Sequence, residues 1–236
     1  MGAVAAVVFL VAFFRAAPPV TRPMVLCLCG TAVLGGVAMA AGVAAGASVL
    51  TPLLVLQIFA ASSGFGLAMR RGHYDLVLSR GIGIAGLMTA HWLASIAPGL
   101  GAWLSVAVLE RLVSPAEPAA VTSGSVLAFL LASSLPWALT TPLPRFAAAI
   151  GWLVLLVTSL AMVPSGQLRL VDALRDPRPS ALGALAVVAY PMGLLGTDAA
   201  RLPAGTVSPG LACAVGSMLG ALAWQRRAEV PLETAA

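Results

Sequence analysis

The chain reads as an all-α integral membrane protein: six core transmembrane helices, an extra N-terminal apolar helix, a short cytoplasmic helix and an external re-entrant segment. Three observations predict this. Of the 236 residues, 60% are hydrophobic and only 9% are charged, with a mean hydropathy of +1.01. A soluble domain carries about 25% charged residues. Charge is also segregated: none falls between Pro23 and Met69, and none between Gly81 and Leu109. Finally, the connections are short, so the length suits about six or seven spans of ~20 residues in a single membrane domain covering 1–236, with no separate soluble domain.

The basic balance (+5) comes entirely from arginine, because the chain has no lysine. The arginines sit at the ends of apolar tracts, where they set topology. A nucleic-acid binder would instead cluster them with aromatics. Cys27, Cys29 and Cys213 lie inside apolar tracts. Cys27 and Cys29, two apart on a helix, point to different sides and have no His or acid nearby in sequence, so they read as inert thiols rather than a metal site.

The elements follow in order. The apolar run ending at Arg15 (1–15) has no basic segment before it, and its ~13 apolar residues are short for a span. It is expected as an extra helix, joined by a Pro- and Arg-bearing connector. Residues 24–69 suit two spans, with the break near Gly42–Ser48, where small residues cluster and Pro52 follows. Residues 70–80 form an island of charge. Residues 83–163 hold three spans: Gly83 to Leu109, with an interruption at Pro98-Gly99; Thr122 to Thr141; and Phe146 to Val163. Glu110 to Pro118 reads as an external loop, and Thr141 to Arg145 as a tight cytoplasmic turn. In 164–206, a polar stretch precedes the short apolar run Ala181–Gly196, which Pro191-Met192-Gly193 breaks. The last span is 207–225, ending before Arg226 and Arg227. If Ala181–Gly196 crossed fully, that arginine pair would face outward. A re-entrant segment keeps it inside, as the positive-inside rule prefers. This puts Arg169, Arg175, Arg178 and Arg201 outside, partly balanced by Asp172, Asp176 and Asp198.

The island carries the functional signal. Its residues are Arg70, Arg71, Gly72, His73, Tyr74, Asp75, Leu76, Val77, Leu78, Ser79 and Arg80. Burying its charges at a bilayer centre would cost roughly 2.5–3.5 kcal/mol each. It must therefore sit at a membrane face, and three arginines place that face in the cytoplasm. Leu76, Val77 and Leu78 add an apolar stripe, and Tyr74 an aromatic anchor of the kind favoured at binding hot spots. A loop that only set topology would need neither.

A span ending in Phe65-Gly-Leu-Ala-Met, followed by this island and a Gly-rich start to the next span, resembles the membrane subunit of the type-2 ABC exporters. Gly72, Asp75, Leu76, Leu78, Ser79 and Arg80 carry the resemblance. Arg80-Gly81 stands where that family usually has proline after the serine, and Ala68-Met69 where it usually has an acid before the first Arg. The order of segments over about 24–227 also matches. The resemblance implies that the island is a coupling helix seated in a groove of a separate ATP-binding subunit. The docking set would be Arg70, Arg71, Gly72, His73, Tyr74, Asp75, Leu76, Leu78, Ser79 and Arg80. It implies a dimer of permease subunits, homo- or heterodimeric, in the bacterial cytoplasmic (inner) membrane, with a cytoplasmic C-terminus. It also implies no cofactor in this chain, because ATP and Mg belong to the partner. The lysine-free sequence agrees: the phosphate-binding G-x-x-x-x-G-K-[S/T] loop needs a lysine, so this chain is expected to be no enzyme.

Other readings are weaker. Ser62-Ser63-Gly64 and His91 faintly resemble the Ser and His segments of rhomboid proteases, but Ala61 stands where that family has Gly, and no span separates the two segments. Ala90-His91-Trp92 followed by Pro98 is similar to the haem-exporter-like permease of cytochrome c maturation. An intramembrane His is a functional candidate, although Trp92 beside it suits an interfacial structural role. An ion-coupled secondary transporter would need acids near the midplane, and all eight acids read as loop or tail residues. Gly30, Gly35, Gly36, Gly42 and Gly46 are expected to allow close helix packing.

Overall fold

The computed structural model describes residues 21–44, 46–62, 65–70, 72, 74–79, 83–113, 121–160, 172–173, 181–195, 197 and 204–227. The N-terminal run, the connector after it and most of the polar stretch 161–180 lie outside the described residues. Among the described residues every regular element is helical. In order they are α1 (Thr21–Ala40), α2 (Gly46–Ala61), α3 (Phe65–Arg70), α4 (Asp75–Leu78), α5 (Ile84–Val113) and α6 (Ser123–Thr140). A 3-10 turn (Pro144–Phe146), α7 (Ala147–Leu160), α8 (Ala181–Ala189), a second 3-10 turn (Pro191–Leu194) and α9 (Ala204–Arg227) complete the fold.

Among the described residues, three helices are long and apolar enough to cross a membrane: Ile84–Val113, Ser123–Thr140 and Val207–Arg227. Leu26–Ala40, Ser48–Ala61 and Pro144–Val157 are shorter apolar helical stretches. Uncharged Leu- and Ala-rich runs favour helix, and only helices satisfy their own backbone in a lipid-like surround. Large side chains stay exposed on the outer faces, among them Leu26 and Leu34 of α1, Trp152 and Leu156 of α7, and Leu219 of α9. Such a surface suits lipid rather than water.

α2 sits centrally and packs against α1, α5, α6 and α7; α6 packs against α2 on one side and α9 on another, and α8 lies on α9. Leu50, Leu53, Leu54 and Ile58 of α2 and Leu127, Ala128 and Leu131 of α6 form the core of this junction.

The α1–α2 break falls where the sequence places it. Gly42 has φ +70°, and the amides of Gly42 and Val43 donate to Met39 and Ala38 carbonyls, each at 2.9 Å. This left-handed glycine cap satisfies the last carbonyls of α1 and reverses the chain. Of the glycines expected to permit close packing, Gly35 abuts Val49, Gly36 abuts Leu109 and Gly46 abuts Glu110, whereas Gly30 faces open space.

Three expectations are corrected. α5 is not interrupted at Pro98-Gly99 but runs unbroken for 30 residues. A proline removes one backbone bond and does not end a helix that neighbouring helices hold on its buried sides. Glu110 is not in an external loop: it lies in the last turn of α5 and is only 4% exposed. The acids therefore do not all lie in loops and tails. The span ending at Met69 is also divided, into α2 and the separate short helix α3.

Each end of the bundle gathers specific segments. At one end α3, Tyr74, the start of α5 (Leu87, Met88), the end of α6 (Trp137, Ala138) and the end of α9 (Ala221) form a second buried cluster. α3 also lies against the turn after α6, with Gly66 touching the Thr141 backbone. At the other end Glu110 meets the start of α2, and the Gly124 amide of α6 donates to the Thr197 carbonyl at 3.2 Å.

Candidate partner-docking segment

α3 runs into the island, and α4 follows it past the left-handed Gly72. Gly72, φ +67°, closes α3 by donating to the Met69 carbonyl at 3.0 Å. Its own carbonyl accepts from the Asp75 amide at 3.2 Å. The Tyr74 and Asp75 carbonyls then accept from Leu78 at 2.9 Å and Ser79 at 2.8 Å, forming the single turn of α4. A side chain at Gly72 would be strained by this φ and would press on the Asp75 carboxylate.

This geometry turns Tyr74 inward. It is 9% exposed, stacks on Phe65 (centroids 5.7 Å, interplanar 16°) and meets the ring of His91 edge-on (5.9 Å, 88°). Phe65 meets His91 edge-on at 5.5 Å, and Trp137 lies 6.4 Å from Phe65. Trp137 Nε1–H donates to His91 Nδ1 at 3.1 Å, so Nδ1 carries no proton. The four rings come from α3, the island, α5 and α6, and form a box beneath the island. Burial pushes the Tyr74 phenol above its ordinary pKa, because the phenolate would be desolvated.

Tyr74 therefore packs against the protein's own rings and leaves little of its surface exposed. Leu78 is half-buried and packs on the same ring cluster. Asp75 and Ser79, one turn apart, are exposed, and Gly72 is half-buried. Arg71, His73 and Arg80 lie outside the described residues, as do the side chains of Arg70, Leu76 and Val77.

Two further polar positions are buried among the helices. Gln57 of α2 is 0% exposed and donates through Nε2 to Ser133 Oγ of α6 at 3.1 Å. Its Oε1 lies against Gly99 of α5 and has no hydrogen-bond partner among the described residues. Only a glycine admits that approach. Glu110 places its carboxylate at Gly46, the first residue of α2, where a helix N-terminus favours negative charge. Ser62 donates to the Ile58 carbonyl of its own helix at 2.8 Å, and Ser63 lies outside the described residues. Cys27 and Cys29 are exposed on α1.

Phe65, His91 and Trp137 were not legible as partners of Tyr74. A pair 46 residues apart leaves no periodic trace. The available signal was compositional: a ring-bearing island flanked by Phe65 upstream and His91-Trp92 downstream. No family model, no curated protein and no solved structure matches the chain.

Proposed function

We propose that this chain is a permease subunit of an ATP-driven exporter of the type-2 ABC class, driven by a separate ATP-binding subunit. The supporting observation is the gathering at one end of the bundle. Tyr74 and Leu78 of the island share a buried cluster there with the end of α9, just before exposed Arg226 and Arg227, and α3, which leads into the island, lies beside the turn that carries exposed Arg145. One arginine-rich end is what the positive-inside rule requires of a cytoplasmic face.

On this reading α1, α2, α5, α6, α7 and α9 are the six core spans. α8, about 14 Å long by its nine residues, reaches only about halfway into a ~30 Å hydrocarbon layer. The tie between Thr197 and the start of α6 returns the chain to the outer end, which suits a re-entrant segment. The partner subunit, with ATP and Mg, engages the outward face of α4 at Asp75 and Ser79, with the island arginines at the rim. Two permease subunits complete the pathway in a bacterial cytoplasmic membrane.

Ion-coupled transport gains one observation, the buried Glu110. Yet Glu110 lies 26 residues, roughly 39 Å, along α5 from Ile84. That is beyond a midplane site, where coupling ions bind.

The test is co-purification from the native membrane in mild detergent. The wild-type chain should carry a Mg-dependent ATPase activity. Asp75→Arg with Ser79→Arg should lose it while the chain stays monodisperse. An unchanged activity in the double variant refutes docking at this face.

A further inference from the structure

We propose that Tyr74 is a latch through which the island holds α5 and α6 together at their island ends, so that a partner pulling on α4 acts on the spans through this ring. The second half of that statement rests on the docking reading; the latch itself does not. The observation behind it is the position of one side chain. In a segment of arginines and Asp75, Tyr74 is inserted among Phe65 of α3, His91 of α5 and Trp137 of α6. Tyr74 meets Phe65 and His91 directly, and His91 holds Trp137 through the Nε1–H to Nδ1 bond. A single ring thus bears on three elements.

The neighbourhood makes that ring decisive. α5 and α6 meet each other only slightly, because α2 lies against both. Trp103–Phe129, at 5.3 Å, joins them further along. At the island end, the His91–Trp137 bond ties them among the described residues, with Tyr74 and Phe65 against His91. Tyr74 is also delivered rigidly: two backbone bonds at Gly72 fix its approach, and Leu78 follows it into the same cluster. Displacing α4 by a few ångströms must withdraw the ring, because no flexible stem lies between the Tyr74 backbone and the turn. Withdrawal opens the buried cluster that also holds His91, Trp137 and Ala138, the last 7% exposed.

The experiment uses the full chain in detergent with Cys27, Cys29 and Cys213 replaced by serine. A single reporter is then introduced by Ser79→Cys or Ala138→Cys. A water-soluble maleimide should modify the Ser79→Cys chain readily and the Ala138→Cys chain slowly. Losing two ring contacts corresponds to about a tenfold change in an opening equilibrium. Tyr74→Ala should therefore speed labelling of Ala138→Cys about tenfold and leave that of Ser79→Cys unchanged. Tyr74→Phe, which keeps the ring, should restore protection. Trp137→Phe should make a nitroxide on Ser79→Cys more mobile, since the island then rests on a looser support. If Tyr74→Ala does not fold, Tyr74→Leu gives the same comparison. Continued protection of Ala138→Cys in the ring-less variant overturns the latch, and so does a Tyr74→Phe chain as open as Tyr74→Ala. No ATPase is present in these measurements. Their failure leaves the docking reading intact, and failure of co-purification leaves the latch intact.

Discussion

Tyr74 changed meaning between sequence and structure. Its presence in a charged island suggested an anchor for a partner; the structure shows it packed on the protein's own rings. Its direction was not legible, because an aromatic in a loop reads equally as an anchor for a partner or for the protein's own core. The turn at Gly72 decides, and its consequence depends on rings far away in sequence. Burial also fixes a pH dependence. The folded state holds the phenol neutral, with its pKa above the ordinary value of about 10. This stability is fully present below about pH 10 and is lost as pH rises further, because the unfolded chain releases the proton first. The chain has two tyrosines, so a Tyr190→Phe variant isolates Tyr74. Its phenolate absorbance should remain absent where free tyrosine is half ionised, with the thermal midpoint falling above that pH. Half ionisation near pH 10 would contradict the buried placement. Gln57 was invisible for a different reason. A lone Gln in an apolar tract has no pattern, and its partners Ser133 and Gly99 sit on other helices.

At the scale of elements, the apolar tracts were legible because lipid-like surroundings enforce them. α6 begins at its Thr122 cap, whose Oγ1 accepts from the Ser125 amide at 3.1 Å, and ends at Thr140, with Pro142 and Pro144 following. The break of Ala181–Gly196 at Pro191 was legible for the same reason: α8 stops at Ala189 and a 3-10 turn takes over. Proline misled inside α5, where Pro98 was read as an interruption. Packing by α2 against Gly99 holds the helix through it. The short elements α3 and α4 carry too few residues for periodicity, and contacts position them. Gly66 illustrates this: a Cβ there would meet the Thr141 backbone carbonyl, which cannot swing aside as a side chain would. Gly66→Ala should therefore lift α3 from the end of α6 and destabilise the chain by about 1–3 kcal/mol. Thermal unfolding in detergent measures this. A variant as stable as wild type would mean that α3 is not seated there.

For the whole molecule, the arrangement of ends carries the account. The island packs with the ends of α6 and α9, and the opposite end joins Glu110 with the start of α2 and Thr197 with the start of α6. Charge at the ends of apolar tracts made the limits of the apolar helices legible. Which ends touch was not legible, since that depends on packing between segments more than a hundred residues apart. The proposed picture is a membrane subunit that turns Asp75 and Ser79 outward and Tyr74 inward. Site-specific photo-crosslinking from Ser79 in the native membrane tests it most directly. An adduct is expected with a separate polypeptide that contains a phosphate-binding G-x-x-x-x-G-K-[S/T] loop. Adducts with lipid alone, or with a protein lacking any nucleotide site, would contradict it.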